Sequence, residues 1–519
     1  MKNIIYIVLA SFLLFQCSTS SKIGSSKNTK QTHQKEIEFT ILQINDFYEI
    51  SPVDEGKYGG AARIASLRKK LISENPNTYT VLAGDFLSPS LIGTLKVDGE
   101  RVRGKQMIEA LNLIGLDLAC FGNHEFDYDA ATLQKRINES KFDWITSNVM
   151  LQTSDGPILF NKETEGKKTP IPTYKIIKVK NSNQDIFKIG IISPCINSNK
   201  APWVYYSDHE QSTALEIQKI KDSVDVILLL SHLNLSQDRA LAEKFPNIHL
   251  IMGGHEHDHM NHLIGKTRIT KADANARSAY VHRLKFNPVN KRLDLNSELV
   301  FLDQKIPLDE EVSVMVNQWK AKEMRVMREM GFDPDEVLMT LSSPLDAREQ
   351  TIRNEPAPFC QMICRAMSRT SKDIDFSIMN SGSVRVDDEF KTKLSQYDIL
   401  RSLPYGGSVV KVKMKGSLLI QILDAGWANK GRGGYLQYDR AEKNKDGIWL
   451  FSDKPIAAQQ VYTLCLTDFL IKGLEQGLEF LTPFNKDIIS VEEPNLEQGE
   501  DLRRDVRLVV VDYIKKGGR

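Results

Sequence analysis

At 519 residues the chain exceeds what one ordinary hydrophobic core holds, so two domains of about 200 to 300 residues are expected. Its 68 basic and 67 acidic residues leave a net charge of +1, and neither sign dominates a long tract, which argues against a nucleic-acid binder held by bulk electrostatics. An apolar content of 41% is ample for packed cores.

The chain opens on Lys2 and the apolar run 4–15, a basic segment and a hydrophobic one too short to span a membrane, which reads as a secretory signal. Leu14-Phe15-Gln16-Cys17 resembles a bacterial lipobox, whose cysteine carries the lipid. The expectation is a signal over 1–17, a polar tether over 18–35, and an exported protein of the periplasm or cell envelope, lipid-anchored at Cys17. Simple cleavage or a retained anchor is the alternative. Cys120, Cys195, Cys360, Cys364 and Cys465 lack the short repeated spacings of a disulfide framework and read as buried small hydrophobes, with pairing or metal binding by Cys360 and Cys364, one helical turn apart, as the alternative.

From residue 36 to about 300 the pattern predicts a layered α/β domain. Run 39–44 leads into Asn45-Asp46; a glycine pair, Gly59-Gly60, then opens a helix; run 79–83 leads into Gly84-Asp85, with a helix at 105–114 after it. Run 116–121 leads into Gly122-Asn123-His124-Glu125-Phe126-Asp127, and shorter runs follow at 143–145 and 187–192. Run 224–230 leads into Ser231-His232, and run 248–252 into Gly253-Gly254-His255-Glu256-His257. Five apolar runs thus end in Asp, Asn or His, and the loop after a buried strand is where α/β proteins put their chemistry. An amphipathic helix over 306–331 closes at Gly331 and Pro334, and a second α/β domain occupies 335–519, with strands near 374–379 and 409–414 and a closing helix near 502–514.

Aspartate and asparagine oxygens and imidazole nitrogens suit Mn²⁺, Zn²⁺, Fe or Co²⁺, and a shared carboxylate can hold two such ions about 3.5 to 4 Å apart. Such a pair clamps the oxygens of a phosphate ester and lowers the pKa of water. His124 can donate a proton, and Asp127, three residues on, can orient its imidazole. His33, His209, His249, His259, His262 and His282 follow no motif, and surface or supporting roles are expected for them.

In this order the motifs resemble the 5'-nucleotidase family of calcineurin-like metallophosphatases, in its exported bacterial members, over residues 37–515. The resemblance implies a four-layer α/β metallophosphatase sandwich joined by a helix to an α/β substrate-recognition domain. It implies one ion on Asp46, Asp85 and His257, a second on Asp85, Asn123, His232 and His255, and a catalytic dyad of His124 and Asp127. The family usually has Asp-x-His at the first motif, whereas this chain reads Asp46-Phe47-Tyr48, so coordination by Tyr48 and a neutral phenol beside a weakened site both stay open.

The second half carries the resemblance further. Asn380-Ser381-Gly382-Ser383-Val384-Arg385 is similar to the family's Asn-Gly-Gly-x-x-Arg loop, which implies close backbone approach at Gly382 and a phosphate grip by Arg385. Leu403-Pro404-Tyr405-Gly406-Gly407 and Met414-Lys415-Gly416 match its next landmarks. Gly433-Gly434-Tyr435-Leu436-Gln437 resembles the segment whose ring stacks on a nucleobase, making Tyr435 the candidate; Phe480 and Arg432 are weaker candidates for the second ring and for phosphate. The implied activity is hydrolysis of nucleoside 5'-monophosphates. The incomplete clamp leaves open cyclic nucleotides, nucleotide sugars or other phosphoesters, and Tyr48 leaves open a surface lipoprotein that binds nucleotide or metal without turnover.

Overall fold

β1 (Ile37–Ile44) turns Ile37, Phe39 and Ile41 to one side and Leu42 and Ile44 to the other. Burial on both faces is why its sequence is nearly unbroken in apolar residues. The computed structural model describes residues 36–181, 183–199, 201–495 and 500–518; the expected signal, the lipobox at Cys17 and the tether lie outside them. Residues 36–519 form one compact unit.

After β1 come α1 (Ala61–Glu74), β2 (Thr78–Leu82), α2 (Lys105–Ile114), β3 (Leu118–Cys120), α3 (Ala130–Glu139) and β4 (Asp143–Ile145). The strands β1 to β4 are parallel neighbours in that order. A second sheet uses β5 (Tyr174–Lys180), β6 (Ile186–Ile192), β7 (Val226–Ser231), β8 (Ile248–Gly253), β9 (Met260–Ile264) and β10 (Thr267–Lys271), in the order β5-β6-β7-β8-β10-β9. Its helices are α4 (His209–Ile220) and α5 (Leu235–Lys244). The chain then returns through β11 (Ser278–Asn287) and β12 (Arg292–Phe301) to complete a first sheet ordered β12-β11-β1-β2-β3-β4.

The inner faces of the two sheets pack Phe39, Ile41, Val81 and Leu118 with Ile189, Ile191, Leu228 and Leu250. Phe187 and Phe286 stack across the gap with ring centroids 4.4 Å apart. Outside, Leu42 and Ile44 meet Ile64, Leu67, Met107 and Leu111, while Ile192, Ile227 and Leu229 meet Ile217, Ile220 and Leu241. Helix, sheet, sheet, helix is the expected four-layer sandwich. Gln43 stitches the sheets by donating from Nε2 to Gly253 O and Thr270 O, each at 3.0 Å. His282, expected at the surface or in a supporting place, is instead a core residue: Nε2 lies 2.9 Å from Gln43 Oε1, and burial pushes its pKa down to about 3.

α6 (Glu310–Glu329) is capped by Asp309, which accepts the N–H of Val312 at 3.1 Å, and its Trp319 indole donates to Glu109 of α2 at 2.7 Å. It ends at Glu329 with Met330 as its C-cap, inside the expected 306–331, and Gly331, φ 91°, turns the chain away. Beyond lie α7 (Pro358–Ser368), β13 (Phe376–Asn380), α8 (Gln396–Ser402), β14 (Val409–Lys415), α9 (Gly416–Ala428), β15 (Leu436–Tyr438), β16 (Val461–Thr467), β17 (Ile488–Glu492) and α10 (Val506–Lys515). The sheet here runs β15-β13-β16-β14-β17. α9 covers it with Leu418, Leu419, Ile422 and Leu423, and Trp319 and Met327 join the outer helices of the first half to Phe359, Phe390 and Val510 in one apolar cluster. The five cysteines among the described residues are buried and free, and no helix among those residues is long and apolar enough to cross a membrane.

Candidate metal centre

The ends of β1, β2 and β3 in one sheet and of β7 and β8 in the other bring Asp46, Asp85, Asn123, His232, His255 and His257 to one end of the sandwich. Glycines let these loops close in. A Cβ on Gly122 would lie 2.1 Å from Asp85 Oδ1, and one on Gly254 would lie 2.4 Å from Ala83 O and 2.9 Å from His232 Nδ1. Asp46, Asp85, His255 and His257 take φ values of 49°, 58°, 88° and 59°, a left-handed region that side chains avoid unless their surroundings hold them there.

The surroundings do so with hydrogen bonds. Asn45 Nδ2 donates to Asp46 Oδ2 at 2.8 Å and to Ala272 O at 2.9 Å, and the N–H of Asp46 donates to Gly84 O at 3.1 Å. Glu125 lies in the His124 motif without a role that the motif assigns; its carboxylate accepts the N–H groups of Asp85 and Phe86 at 2.8 Å and of Gly122 at 2.6 Å. Burial and the Asp85 charge push its pKa up to about 7, while these donors hold both oxygens as acceptors. Lys271, which no motif marked, is buried between Asp238, 2.9 Å away, and Glu256, and it donates to Leu233 O at 2.6 Å and Gly254 O at 2.8 Å. It thereby ties the loop after β7 to the loop after β8.

Asp85 sits centrally. Its Oδ1 accepts the N–H of His124 at 2.8 Å, and its Oδ2 lies 3.1 Å from both His232 Nε2 and the Tyr48 hydroxyl. Ligand atoms of Asp46, Asp85 and His232 all lie within 4.8 Å of one another. Asp46 Oδ2 accepts the N–H of His255 at 2.9 Å, and Asp46 Oδ1 is 3.7 Å from His257 Nε2. His232 Nδ1 is 2.7 Å from Ala83 O, which fixes the proton there and turns Nε2 inward. Asn123 Oδ1 is buried without a hydrogen-bond partner, and His232 Nε2, buried beside Asp85 Oδ2, makes no well-aligned hydrogen bond to it. An orphaned amide oxygen beside two carboxylates and an inward-turned imidazole nitrogen forms a set that a divalent cation satisfies, so the residues fit the ion the sequence anticipated.

Charge follows this arrangement. Burial opposes ionisation of Asp85, yet His232 and His124 outweigh it and hold the carboxyl far below its usual range. Burial likewise opposes protonation of His232 and His257, but Asp85 raises the first to about 9 and Asp387 raises the second to about 10. His255, buried and beside His232, is pushed well below the usual imidazole value. The Tyr48 hydroxyl lies among prospective ligands, 3.1 Å from His257 Nε2 and 3.4 Å from Asp46 Oδ1; burial and the two aspartates raise its pKa well above 10, so without an ion it is a neutral phenol.

Beside this centre His124 Nδ1 is 2.8 Å from Asp127 Oδ2. Asp127 also accepts from Ser88 Oγ at 2.9 Å and Asn199 Nδ2 at 3.1 Å, partners the sequence did not suggest. Burial works against the His124 imidazolium, but Asp127 and Asp85 raise its pKa overall.

From the second half, Arg385 lies close enough to Tyr405, Asp127 and Glu349 for their charges to raise its pKa against burial, and its Nε is shielded without a partner. Tyr405 OH is 3.3 Å from Ser88 Oγ. Asn380 donates to Glu475 at 2.8 Å and accepts from Ser383 at 2.6 Å, so its amide holds the loop. A Cβ on Gly382 would stand 3.1 Å from Gly433 Cα, and the Gly382 N–H donates to Gly433 O at 2.8 Å. Tyr435 is 1% exposed, with its ring 6.3 Å from that of Trp427, and it presents no open face. Phe480 packs against the core under α9, and Arg432 is exposed.

A family model of calcineurin-like phosphoesterases matches residues 39–259, and one of the 5'-nucleotidase C-terminal domain matches residues 337–482. Human 5'-nucleotidase is 22% identical over 498 residues, covering 84% of this chain and 83% of that protein. The snake venom 5'-nucleotidase of Crotalus adamanteus is 22% identical over 439 residues, covering 76% and 71%. Among solved structures, a 5'-nucleotidase precursor from Thermus thermophilus shares the fold with a TM-score of 0.71 at 17% identity, covering 93% of this chain and 97% of that one. The sulfate thiohydrolase SoxB of the same organism shares it with a TM-score of 0.66 at 14% identity, covering 92% and 94%.

Proposed function

The chain belongs to the 5'-nucleotidase family of calcineurin-like metallophosphatases and is a metal-dependent phosphoric ester hydrolase, and from that premise we propose that it releases phosphate from nucleoside 5'-monophosphates. The observation that carries this reading is the gathering of Asp46, Asp85 and His232 within 4.8 Å of one another, with Asn123 Oδ1 buried and unpartnered beside them. In the proposed assignment two divalent ions share Asp85, one with Asp46 and His257, the other with Asn123, His232 and His255. Bound there, they supply charge stabilisation for the phosphoryl oxygens and a lowered pKa for water.

The chain's own groups do the rest. Asp127 accepts the Nδ1 proton of His124, which leaves Nε2 to hand a proton to the leaving oxygen, and the raised pKa keeps that proton available near neutrality. Arg385 brings a guanidinium from the second half toward the same place, suited to two phosphate oxygens at once. Residues 36–300 are the proposed catalytic domain and 335–519 the proposed substrate domain. Export with a lipid anchor at Cys17 belongs to the proposal and rests on Lys2, run 4–15 and the lipobox-like residues.

One observation favours a second substrate class. Tyr435 is buried and Phe480 packs on the core, so neither ring stands free to clamp a base, which suits phosphate esters without one. Phosphate release from adenosine, guanosine and uridine monophosphates, a cyclic nucleotide, a nucleotide sugar and a simple aryl phosphate, with Mn²⁺, Zn²⁺, Fe²⁺ or Co²⁺ added, separates the two. The Asp85→Asn variant is expected to lose turnover on every substrate. Wild-type turnover by that variant stripped of metal would overturn the assignment of the shared carboxylate.

A further inference from the structure

The imidazoles of the centre are not all steadied from the same side of the molecule. His232 is fixed within the sandwich by Ala83 O at 2.7 Å. His257 is not. Its Nδ1 lies 2.9 Å from Asp387 Oδ2, and Asp387 belongs to the second half, two residues beyond Arg385. We propose that Asp387 is a positioning residue for His257: it accepts the Nδ1 proton and turns Nε2 toward the Tyr48 hydroxyl, 3.1 Å away, and Asp46 Oδ1, 3.7 Å away, so the cation site on Asp46 and His257 is complete only when the loop after β13 is seated against the sandwich. This rests on the metallohydrolase reading and adds a residue that no motif pointed to.

The carboxylate is held for this task. Asp387 adopts φ 42°, which a non-glycine residue keeps only when its neighbours fix it. Its Oδ1 accepts the N–H of Glu349 at 2.9 Å, leaving Oδ2 for His257. Its backbone carbonyl accepts from Arg277 Nη2 at 3.1 Å, and Arg277 in turn pairs with Asp54 at 2.7 Å, so the loop is latched to the first half on two sides. Asp387 and His257 are 16% and 14% exposed, enough shielding for their contact to resist screening. Glu349 Oε2, the other carboxylate near Nδ1, stands 3.9 Å away, too far for a hydrogen bond. They border a cleft of about 300 Å³ between the two halves.

Two consequences follow. A carboxylate behind a ligating imidazole fixes its tautomer and strengthens the ligand, and its loss costs about 10- to 100-fold in metal affinity. Arg385 and Asp387 share one loop, so the group proposed to grip phosphate and the group that aims His257 are seated together. Affinity for one ion is thereby tied to the placement of the substrate-binding loop.

The test uses the full chain. Bound metal is counted by elemental analysis, and the affinities for Mn²⁺ and Zn²⁺ are measured by chelator competition, for wild type, Asp387→Ala, Asp387→Asn and Glu389→Ala. Glu389 borders the same cleft without touching His257. Wild type and Glu389→Ala are expected to hold two ions; Asp387→Ala is expected to bind one of them about 10- to 100-fold more weakly and the other unchanged. Asp387→Asn keeps one acceptor oxygen where the carboxylate uses two, for His257 Nδ1 and the Glu349 N–H, and is expected to recover part of the loss. Far-UV circular dichroism and thermal unfolding of the metal-free proteins, in which Asp387→Ala is expected to keep the wild-type fold and a cooperative transition at a lower midpoint because it loses its His257 and Glu349 contacts, separate positioning from folding. Equal affinities for both ions in Asp387→Ala, or equal weakening of both, overturns the proposal while leaving the hydrolase reading intact. A wild-type chain that binds no divalent ion overturns both.

Discussion

Glu125 follows His124 directly, yet its carboxylate turns into the protein and accepts the N–H of Asp85 at 2.8 Å. The two neighbours therefore have separable effects. Glu125→Gln leaves backbone N–H groups of the β2 and β3 loops facing an amide, and a loss of roughly 2 to 4 kcal/mol of stability is expected, with activity falling because Asp85 is released. His124→Ala is expected to lower kcat about 10²- to 10⁴-fold with melting temperature and metal content unchanged. Calorimetry and metal analysis beside kinetics check both; a His124→Ala protein that has lost its metal contradicts the division.

Lys271 carries a buried charge between two carboxylates, and removing it strands both. Lys271→Met is expected to destabilise the chain by roughly 3 to 5 kcal/mol, read as a lower urea midpoint. Adding Glu256→Gln to that variant is expected to restore part of the loss, because one of the stranded charges is gone. Additive losses in the double variant would count against the network.

Glu323 on α6 is buried, and burial, reinforced by Glu49, pushes its pKa up to about 8. Unfolded, it titrates near the usual glutamate value of about 4.3. Between these values the folded chain binds the extra proton, so stability contributed by neutral Glu323 is full below the lower value and falls as pH rises toward about 8. Glu323→Gln is expected to flatten that decline and to be the more stable protein at pH 8, by an amount of the order of 1 kcal/mol or more. Unfolding free energies measured from pH 5 to 8 check the sign; equal slopes for both proteins contradict it.

The strands, the helices and the loops that gather Asp46, Asp85 and His232 were legible because they depend on local pattern. An apolar run that ends in Gly-Asp or Gly-Asn-His states both where a strand stops and which donor it leaves behind, and the helices at 61–74, 105–114 and 310–329 declare themselves by spacing, glycine and cap. His282 was misjudged for environment by the same local reading, and Tyr435, a candidate only through the resemblance, is buried as well. Nothing near either residue says that one lies between two sheets against Gln43, or that the other is closed over beside Trp427.

What the sequence determined by itself is the inventory: which residues can hold a cation, in what order they leave their strands, and that His124 has Asp127 within reach. The tertiary structure alone decided which acceptor steadies each of those groups. Asp387 and His257 are 130 positions apart, and Glu125 and Lys271 differ in no local way from surface charges. Periodicity reports which face of an element is apolar; partners between distant segments are set by how faces stack and loops meet, and that information is spread over the whole chain.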